Sequence, residues 1–505
     1  MENQSAQPRS LLLRPDTLLF LATAVLYGFT LAPTTFWSDP AQLQTRSLME
    51  WEMSPDARHY PLFTVLARIL VHPFAPLSDL ALWMNALNAF FGCVTVVLIY
   101  RVALTLKASR GAAAVGALSY MVAHTVWQQT VFTEVYSLST ALILAMLLCV
   151  LLWKPEKPGY FYGALFLFGF GFFQHRFHVL TIPPFLFYLL LRRAEITKRN
   201  IQWGLFWFVI GLLPILILSV SYLADGHPLG ELIHVYLFSG GKDWEAPITG
   251  VDWSRFGEDA FYLLAFFGYN FIGLAILLGV VGAVRSFRQA RREAWLIAGF
   301  MAMGFAFSFD YNIGEKWIFF IPMYLAFAVW VGIGADWLLE RLAARRAAVL
   351  AALIALVIAV PCFTYWVTPK VLNGLKMNPF RVADAAEYNE IFFNPSLHGY
   401  QHSITYAERV FSLVPPGSIV MGDYASYQVL LYFQMTRGMG KGIRLEFLGF
   451  TEEPYLDDQL KGLGHATPIY IALWPYHKLY AGENVLRLAS RVDQVEPVFL
   501  VDKPY

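Results

Sequence analysis

Residues 80–106 read LALWMNALNAFFGCVTVVLIYRVALTL, an apolar run whose one charge, Arg101, stands near its end. About 20 apolar residues in a helix cross the roughly 30 Å hydrocarbon core of a bilayer, so this run is long enough to span. Similar runs lie at 17–35, 111–128, 133–153, 159–174, 176–191, 203–222, 260–283, 295–310, 316–339 and 346–366, eleven candidates in all. The fifth and sixth are short and share the polar hinge Gln174-His175-Arg176-Phe177-His178. The first lacks a small-residue cleavage site and reads as a span rather than a leader. Composition agrees: of 505 residues, 57% are hydrophobic and 14% charged, with a mean hydropathy of +0.50. Soluble domains average roughly 45–50% and 25%. So few charges cannot coat a water-facing surface, which points to an α-helical polytopic membrane protein and excludes a disordered chain. A net charge of +1 gives no reason to expect nucleic acid. Cys93, Cys149 and Cys362 sit in apolar runs without a CxxC pair, against a disulfide framework or a thiolate metal site.

Lysine and arginine set the orientation. With the N-terminus inside, the inner connections carry eighteen of them, from Arg9 and Arg14 to Arg341, Arg345 and Arg346. The outer loops before residue 367, although longer, carry seven. The expected topology is N-in and C-out, and the compact loops suggest a bacterial inner membrane. Residues 1–366 form the membrane part and 367–505 a small extracytoplasmic α/β domain. In the latter, Ser418-Ile419-Val420-Met421 and Pro468-Ile469-Tyr470-Ile471-Ala472 read as buried strands and Ala407–Leu413 as a helix.

An ionisable residue at membrane depth is a functional candidate. Under this topology Asp39, Glu50, Glu52, His59, Glu134, His175, Arg176, His178, Asp310 and Lys316 all fall on the outer side, whereas the inner connections hold mainly loose Arg and Lys. The first outer loop, 36–79, is the most informative. Asp39-Pro40-Ala41-Gln42 begins a helix, with Asp39 readable as its N-cap in a capping box or as a carboxylate facing a cleft. Asp56, Arg58 and His59 follow in a turn, and then the amphipathic run Leu62–Phe74. Glu134 stands at the mouth of the fourth span, where the helix dipole alone would favour it. His175 and His178 are three apart, a spacing a metal could use, but no carboxylate is near in sequence; Arg176 beside them suits an anionic phosphate better. A divalent metal is possible but not indicated. Phe309-Asp310-Tyr311-Asn312-Ile313-Gly314-Glu315-Lys316 is a polar turn that fits either a plain loop or a substrate edge.

These motifs resemble the GT-C glycosyltransferase superfamily, and within it the O-mannosyltransferase-related multi-pass proteins. Trp37-Ser38-Asp39 resembles the aspartate that closes that group's first span. Arg58-His59-Tyr60-Pro61-Leu62-Phe63 resembles its His-Pro-Pro-Gly-Tyr-Pro-Leu-Tyr motif, here without the Pro-Gly pair. Trp127 through Glu134-Val135-Tyr136-Ser137-Leu138, Gly171 through His175-Arg176, and Phe309-Asp310-Tyr311-Asn312 to Pro322 are similar to three further motifs in the same order. The resemblance implies transfer of a sugar from a polyprenyl-phosphate donor to an acceptor hydroxyl, on protein or glycolipid, at the outer face. Asp39 would then be the base and Glu134 would orient sugar or acceptor. Arg58, His59, His175, Arg176, Tyr311 and Lys316 would bind substrate. A lipid or solute transporter and a non-catalytic scaffold are the alternative readings.

Overall fold

The computed structural model describes residues 14–49, 60–77, 79–238, 253–309, 316–382, 384–448, 468–475, 492–495 and 498–501. Arg58, His59, Asp310 and Tyr311 lie outside the described residues.

The chain is mostly helical. The helices are α1 (Pro15–Phe29), α2 (Asp39–Leu48), α3 (Pro61–Leu70), α4 (Leu80–Thr105), α5 (Arg110–Met121), α6 (His124–Thr130) and α7 (Tyr136–Leu152). Next come α8 (Gly159–Gly171), α9 (Ile182–Leu191), α10 (Lys198–Ala224), α11 (Leu229–Phe238), α12 (Phe256–Asn270) and α13 (Leu274–Gln289). They are followed by α14 (Arg291–Phe309), α15 (Ile321–Arg341) and α16 (Arg346–Gly374). Last are α17 (Ala385–Phe393), α18 (His402–Leu413) and α19 (Tyr424–Arg437). Among the described residues four helices are long and apolar enough to cross a bilayer unaided, and a bent pair makes a fifth. The peripheral helices α10 and α16 expose Ile201, Trp203, Leu205, Ile217, Val220, Phe363 and Trp366. Such a contiguous apolar surface is stable only against lipid or a partner. α15 is the opposite, nearly all buried. Its Gly332 and Gly334 meet the backbones of α5 and α13, and a Cβ at Gly116, Gly282 or Gly334 would collide with a facing carbonyl. Small residues that let backbones approach are how helices pack where lipid removes the hydrophobic drive.

Two of the runs expected as single spans are broken. The third divides at Val122-Ala123 into α5 and α6, and the eighth into α12 and α13, bent by 104°. Gly273 takes φ +66° at that second break, a conformation without steric cost only for glycine. Backbone groups freed at such depth need partners. Tyr27 donates its hydroxyl to the Met121 carbonyl (2.9 Å), and the Thr125 N–H donates to Asn270 Oδ1 (2.8 Å), so each break is stitched by a neighbour. The first helix also stops at Phe29 rather than 35, and the eleventh run continues to Gly374 despite Pro361 and Pro369.

At one end of the bundle several of the arginines are paired. Arg285 pairs with Glu340 (2.7 Å) and Asp336 (3.5 Å), Arg292 with Glu195 (3.1 Å), and Arg101 with Asp16. These pairs tie the ends of α13 and α15, the start of α14 to the turn after α9, and the end of α4 to the start of α1.

At the other end sits a five-stranded sheet, ordered β2-β1-β3-β5-β4. Its strands are β1 (Ile419–Gly422), β2 (Arg444–Phe447), β3 (Ile469–Ala472), β4 (Val492–Val495) and β5 (Val498–Val501). β2 and β3 flank β1 in parallel, and β5 and β4 add antiparallel. Alternation divides the strand residues: Ile419, Met421, Ile469 and Ile471 pack on one face, while Val420 joins α18 and α19 through Val410, Val429 and Phe433. That second cluster is continuous with the helical bundle. Its docking is polar as well. The Leu397 N–H donates to the Thr30 carbonyl, Ser403 to the Thr35 carbonyl, and Gln128 to the Ile391 carbonyl.

Candidate active site

Asp39 is the first helical residue of α2, not its cap. Ser38 is the N-cap, with φ 69° and no side-chain cap bond, and the Gln42 N–H bonds the Ser38 carbonyl instead. Tyr60, immediately before α3, has φ 40° and ψ 64°. Positive φ at a non-glycine residue costs on the order of 1–3 kcal/mol and persists where surrounding contacts enforce it. Both helices of the first loop thus begin from a strained residue, each beside a candidate side chain.

Two asparagines inside the apolar run of α4 do the positioning. Asn88 Nδ2 donates to the carbonyls of Gln129 (2.8 Å), Thr130 (3.2 Å) and Phe132 (2.6 Å), gathering the irregular link between α6 and α7. Asn85 Nδ2 donates to the carbonyls of Ala32 (2.8 Å) and Thr34 (3.2 Å). Its Oδ1 accepts from Thr133 (2.7 Å) and from Gln44 of α2 (3.2 Å), and Gln44 Nε2 also bonds Thr133 Oγ1 (2.7 Å). All these groups are buried, and Asn85 uses both ends of its amide, while Gln44 Oε1 and Asn88 Oδ1 make no hydrogen bond. The network fixes α2, which carries Asp39, against the residue that precedes Glu134.

Glu134 is buried, and the Val135 N–H donates to its Oε2 (3.2 Å) at the start of α7. The next carbonyl, that of Val135, accepts from Gln174 Nε2 (3.3 Å), which brings the His175 hinge alongside. His175 Nδ1 accepts the Phe177 N–H (3.0 Å), so a neutral ring carries its proton on Nε2. Its ring stacks on Tyr60 (5.3 Å, 13°) and lies 6.0 Å from that of Tyr136. The Leu62 N–H bonds the Phe173 carbonyl (3.1 Å) and locks α3 to the same hinge. Tyr424, the first residue of α19, then closes the cluster: its hydroxyl donates to Asp39 Oδ1 (2.5 Å) and stands 3.0 Å from Gln42 Oε1. Burial first, then the charge of Asp39, holds the Tyr424 phenol well above its ordinary range; Tyr60 and Arg46 are also within electrostatic reach.

Asp39 is thus linked through Tyr424 and Tyr60 to His175, and Glu134 to the same hinge through Val135 and Gln174, with half-buried Arg176 at that hinge. His178 packs on Gly171, and neither of its ring nitrogens makes a hydrogen bond among the described residues. No group of three or more His, Cys, Asp or Glu able to hold a metal is present among the described residues. Lys316 is buried in an ion pair with Asp259 of α12, 5.4 Å from the Tyr262 ring. Its turn still borders the cluster, since Phe319 touches Tyr136 (6.2 Å) and Phe177 (5.3 Å). Below this turn an apolar cleft of about 390 Å³ descends between α12, α14 and α15, lined by Leu263, Phe267, Met301, Phe305, Met323 and Trp330. Reading the sequence missed Asp259, Tyr424 and the two asparagines. The asparagines were visible as polar residues within the apolar run 80–106.

Residues 57–198 match the family described as "Protein O-mannosyl-transferase TMEM260 N-terminal domain". That segment holds Arg58, His59, Glu134, His175 and Arg176 but not Asp39 or Lys316. The Protein O-mannosyl-transferase TMEM260 of Mus musculus is 28% identical over 221 residues, 42% of this chain and 31% of the mouse protein. ArnT from Cupriavidus metallidurans, crystallised with undecaprenyl phosphate, superposes with a TM-score of 0.61 at 14% identity, covering 96% of this chain and 98% of ArnT. The Archaeoglobus fulgidus oligosaccharyltransferase superposes with a TM-score of 0.52 at 12% identity, over 90% of this chain and 67% of its own. By its architecture, and by the segment it shares with the O-mannosyl-transferases, the chain is a membrane protein of the GT-C glycosyltransferase fold.

Proposed function

We propose that this protein transfers a sugar from a polyprenyl-phosphate donor to an acceptor hydroxyl at the outer face of a membrane. The chain would cross eleven times with its N-terminus inside, and the sheet-bearing unit, 367–505, would lie outside. A bacterial inner membrane fits the compact loops. The observation that carries the reading is the chain of contacts that links Asp39 through Tyr424 and Tyr60 to the His175 hinge, and Glu134 to the same hinge, at the bundle end that docks the sheet-bearing unit. The likeness to ArnT along nearly the whole chain supports it, because ArnT was crystallised with a lipid phosphate. Transporters need groups reachable from both sides near the midplane; among the described residues Asp39, Glu134, His175 and Arg176 lie toward one end.

In the proposed step the acceptor oxygen attacks the anomeric carbon while the bond from that carbon to the phosphate oxygen breaks. Asp39 takes the hydroxyl proton, and the phosphate leaves with the electron pair. Charge growing on the leaving phosphate calls for cationic donors. Arg176 fills that role, with Arg58, His59 and Tyr311 as further contacts. Lys316 joins them if the phosphate displaces Asp259. The apolar cleft below takes the polyprenyl tail, and Glu134 orients the sugar or the acceptor.

The test is purified protein in nanodiscs supplied with radiolabelled polyprenyl-phosphate sugars and a hydroxyl acceptor. Labelled acceptor and released polyprenyl phosphate are expected. Movement of intact donor between leaflets without cleavage of the sugar–phosphate bond would make the protein a flippase. Orientation is checked by exposed cysteines: His398→Cys should react with an impermeant thiol reagent from outside intact cells, and Gln289→Cys should not. The reverse pattern would overturn the topology.

A further inference from the structure

Asp39 and Tyr424 are 385 residues apart, and their contact is made by local structure that leaves the phenol little freedom. α19 starts directly after β1. Asp423 caps it, accepting the Ser426 N–H (2.8 Å) through Oδ1 and the Trp474 N–H, just beyond β3, through Oδ2 (2.9 Å). The preceding Gly422 lies so close to the Tyr427 backbone that a Cβ would reach the Tyr427 nitrogen at 2.8 Å. Tyr424 is thus held at the carboxyl end of a parallel strand, the edge where α/β sheets present functional side chains. Further along the same helix, Tyr432 and Arg437 (2.8 Å) bind Asp79 at the start of α4 and anchor α19 to the bundle. A phenol has one hydrogen, and the 2.5 Å contact assigns it to the carboxylate. The Gln42 amide, 3.0 Å from the same phenol oxygen, would then be turned so that its N–H donates there.

We propose that Tyr424 is a positioning residue for transfer, supplied by the sheet-bearing unit: its phenol binds Asp39 Oδ1, stabilises the ionised carboxylate and aims it at the acceptor hydroxyl. The inference rests on Asp39 being the base. It also gives the C-terminal unit a direct part in the reaction.

The experiment compares Tyr424→Phe with Tyr427→Phe, a half-buried tyrosine of the same helix, in transfer rate, acceptor KM, pH profile and melting. Loss of a hydrogen bond to a charged group predicts a fall in kcat of about 10–100-fold for Tyr424→Phe. The acid limb of its rate profile should move to higher pH, since the lost donor favoured the ionised carboxylate. Melting and acceptor KM should change little, and Tyr427→Phe should behave as wild type. Wild-type kcat and an unmoved acid limb in Tyr424→Phe would overturn the proposal. So would a lowered KM at unchanged kcat, which would make the phenol a competitor of the acceptor, or a rate loss that only tracks lowered melting. A dead Asp39→Asn with a silent Tyr424→Phe removes this inference and spares the base assignment. A fully active Asp39→Asn removes both.

Discussion

Asp39 and Asp79 each stand at the beginning of a helix, and each receives a phenol from α19, two turns apart. Their surroundings divide the labour. Asp79 caps α4 by accepting the Ala81 N–H (3.0 Å), takes the hydroxyls of Thr34 (3.2 Å) and Tyr432, and pairs with Arg437 (2.8 Å). That is a carboxylate whose lone pairs are consumed by structure. Asp39 stands one position inside its helix, where capping is not required of it, directly after a strained serine. One fold therefore uses the same residue pair twice, once as a fastener and once, in our proposal, as a reaction centre.

The comparison is broken most readily at Asp39. Asp39→Asn should reduce transfer about 10²–10⁴-fold, the usual contribution of a general base, because the amide lacks the basic oxygen. Asp79→Ala attacks the fastener: a lost cap is worth about 1 kcal/mol and a lost partner for a buried phenol about 1–3. Together they predict a loss of about 2–4 kcal/mol, read as lowered thermal stability, with residual transfer following the folded fraction.

Alkali sharpens the same contrast from the tyrosine side. Burial raises the phenols of Tyr424, Tyr432 and Tyr406, with Asp39, Asp79 and Asp423 adding to the respective shifts. A raised folded pKa means that the folded state holds its proton longer. The stabilisation is complete below the unfolded value of about 10 and fades as pH rises through and above it. Phenolate absorbance should therefore appear together with the loss of α19 docking rather than before it. The smallest effect is expected of Arg437→Gln. Its pair with Asp79 is 40% exposed on the arginine side, so about 1 kcal/mol or less is at stake, and added salt should erase it.

How far the sequence could be read depends on the range of the interaction. Each apolar run holds a helix, because a helix satisfies the backbone of a long apolar stretch from within. The breaks at Val122 and Gly273 are hidden in the sequence since apolar residues continue through them; the bonds that make them tolerable, Tyr27–Met121 and Asn270–Thr125, join distant segments. Tyr60, Glu134 and His175 were legible as ordered motifs, and the strands at 419 and 469 as short apolar runs. Tyr424 was not. It lies in an ordinary helix, and nothing near it in sequence signals a carboxylate 385 positions away. Asp39 was placed one residue wrongly because Asp-Pro-x-Gln imitates a capping box, whereas the chain turns at Ser38.

The most direct test of the central claim is to measure transfer rate and melting temperature on the same nanodisc samples of wild type, Asp39→Asn and Asp79→Ala. The account predicts that Asp39→Asn melts like wild type and hardly transfers sugar, while Asp79→Ala melts early and transfers in proportion to what remains folded. Wild-type transfer by Asp39→Asn, or a melting loss in it matching that of Asp79→Ala, would contradict the account.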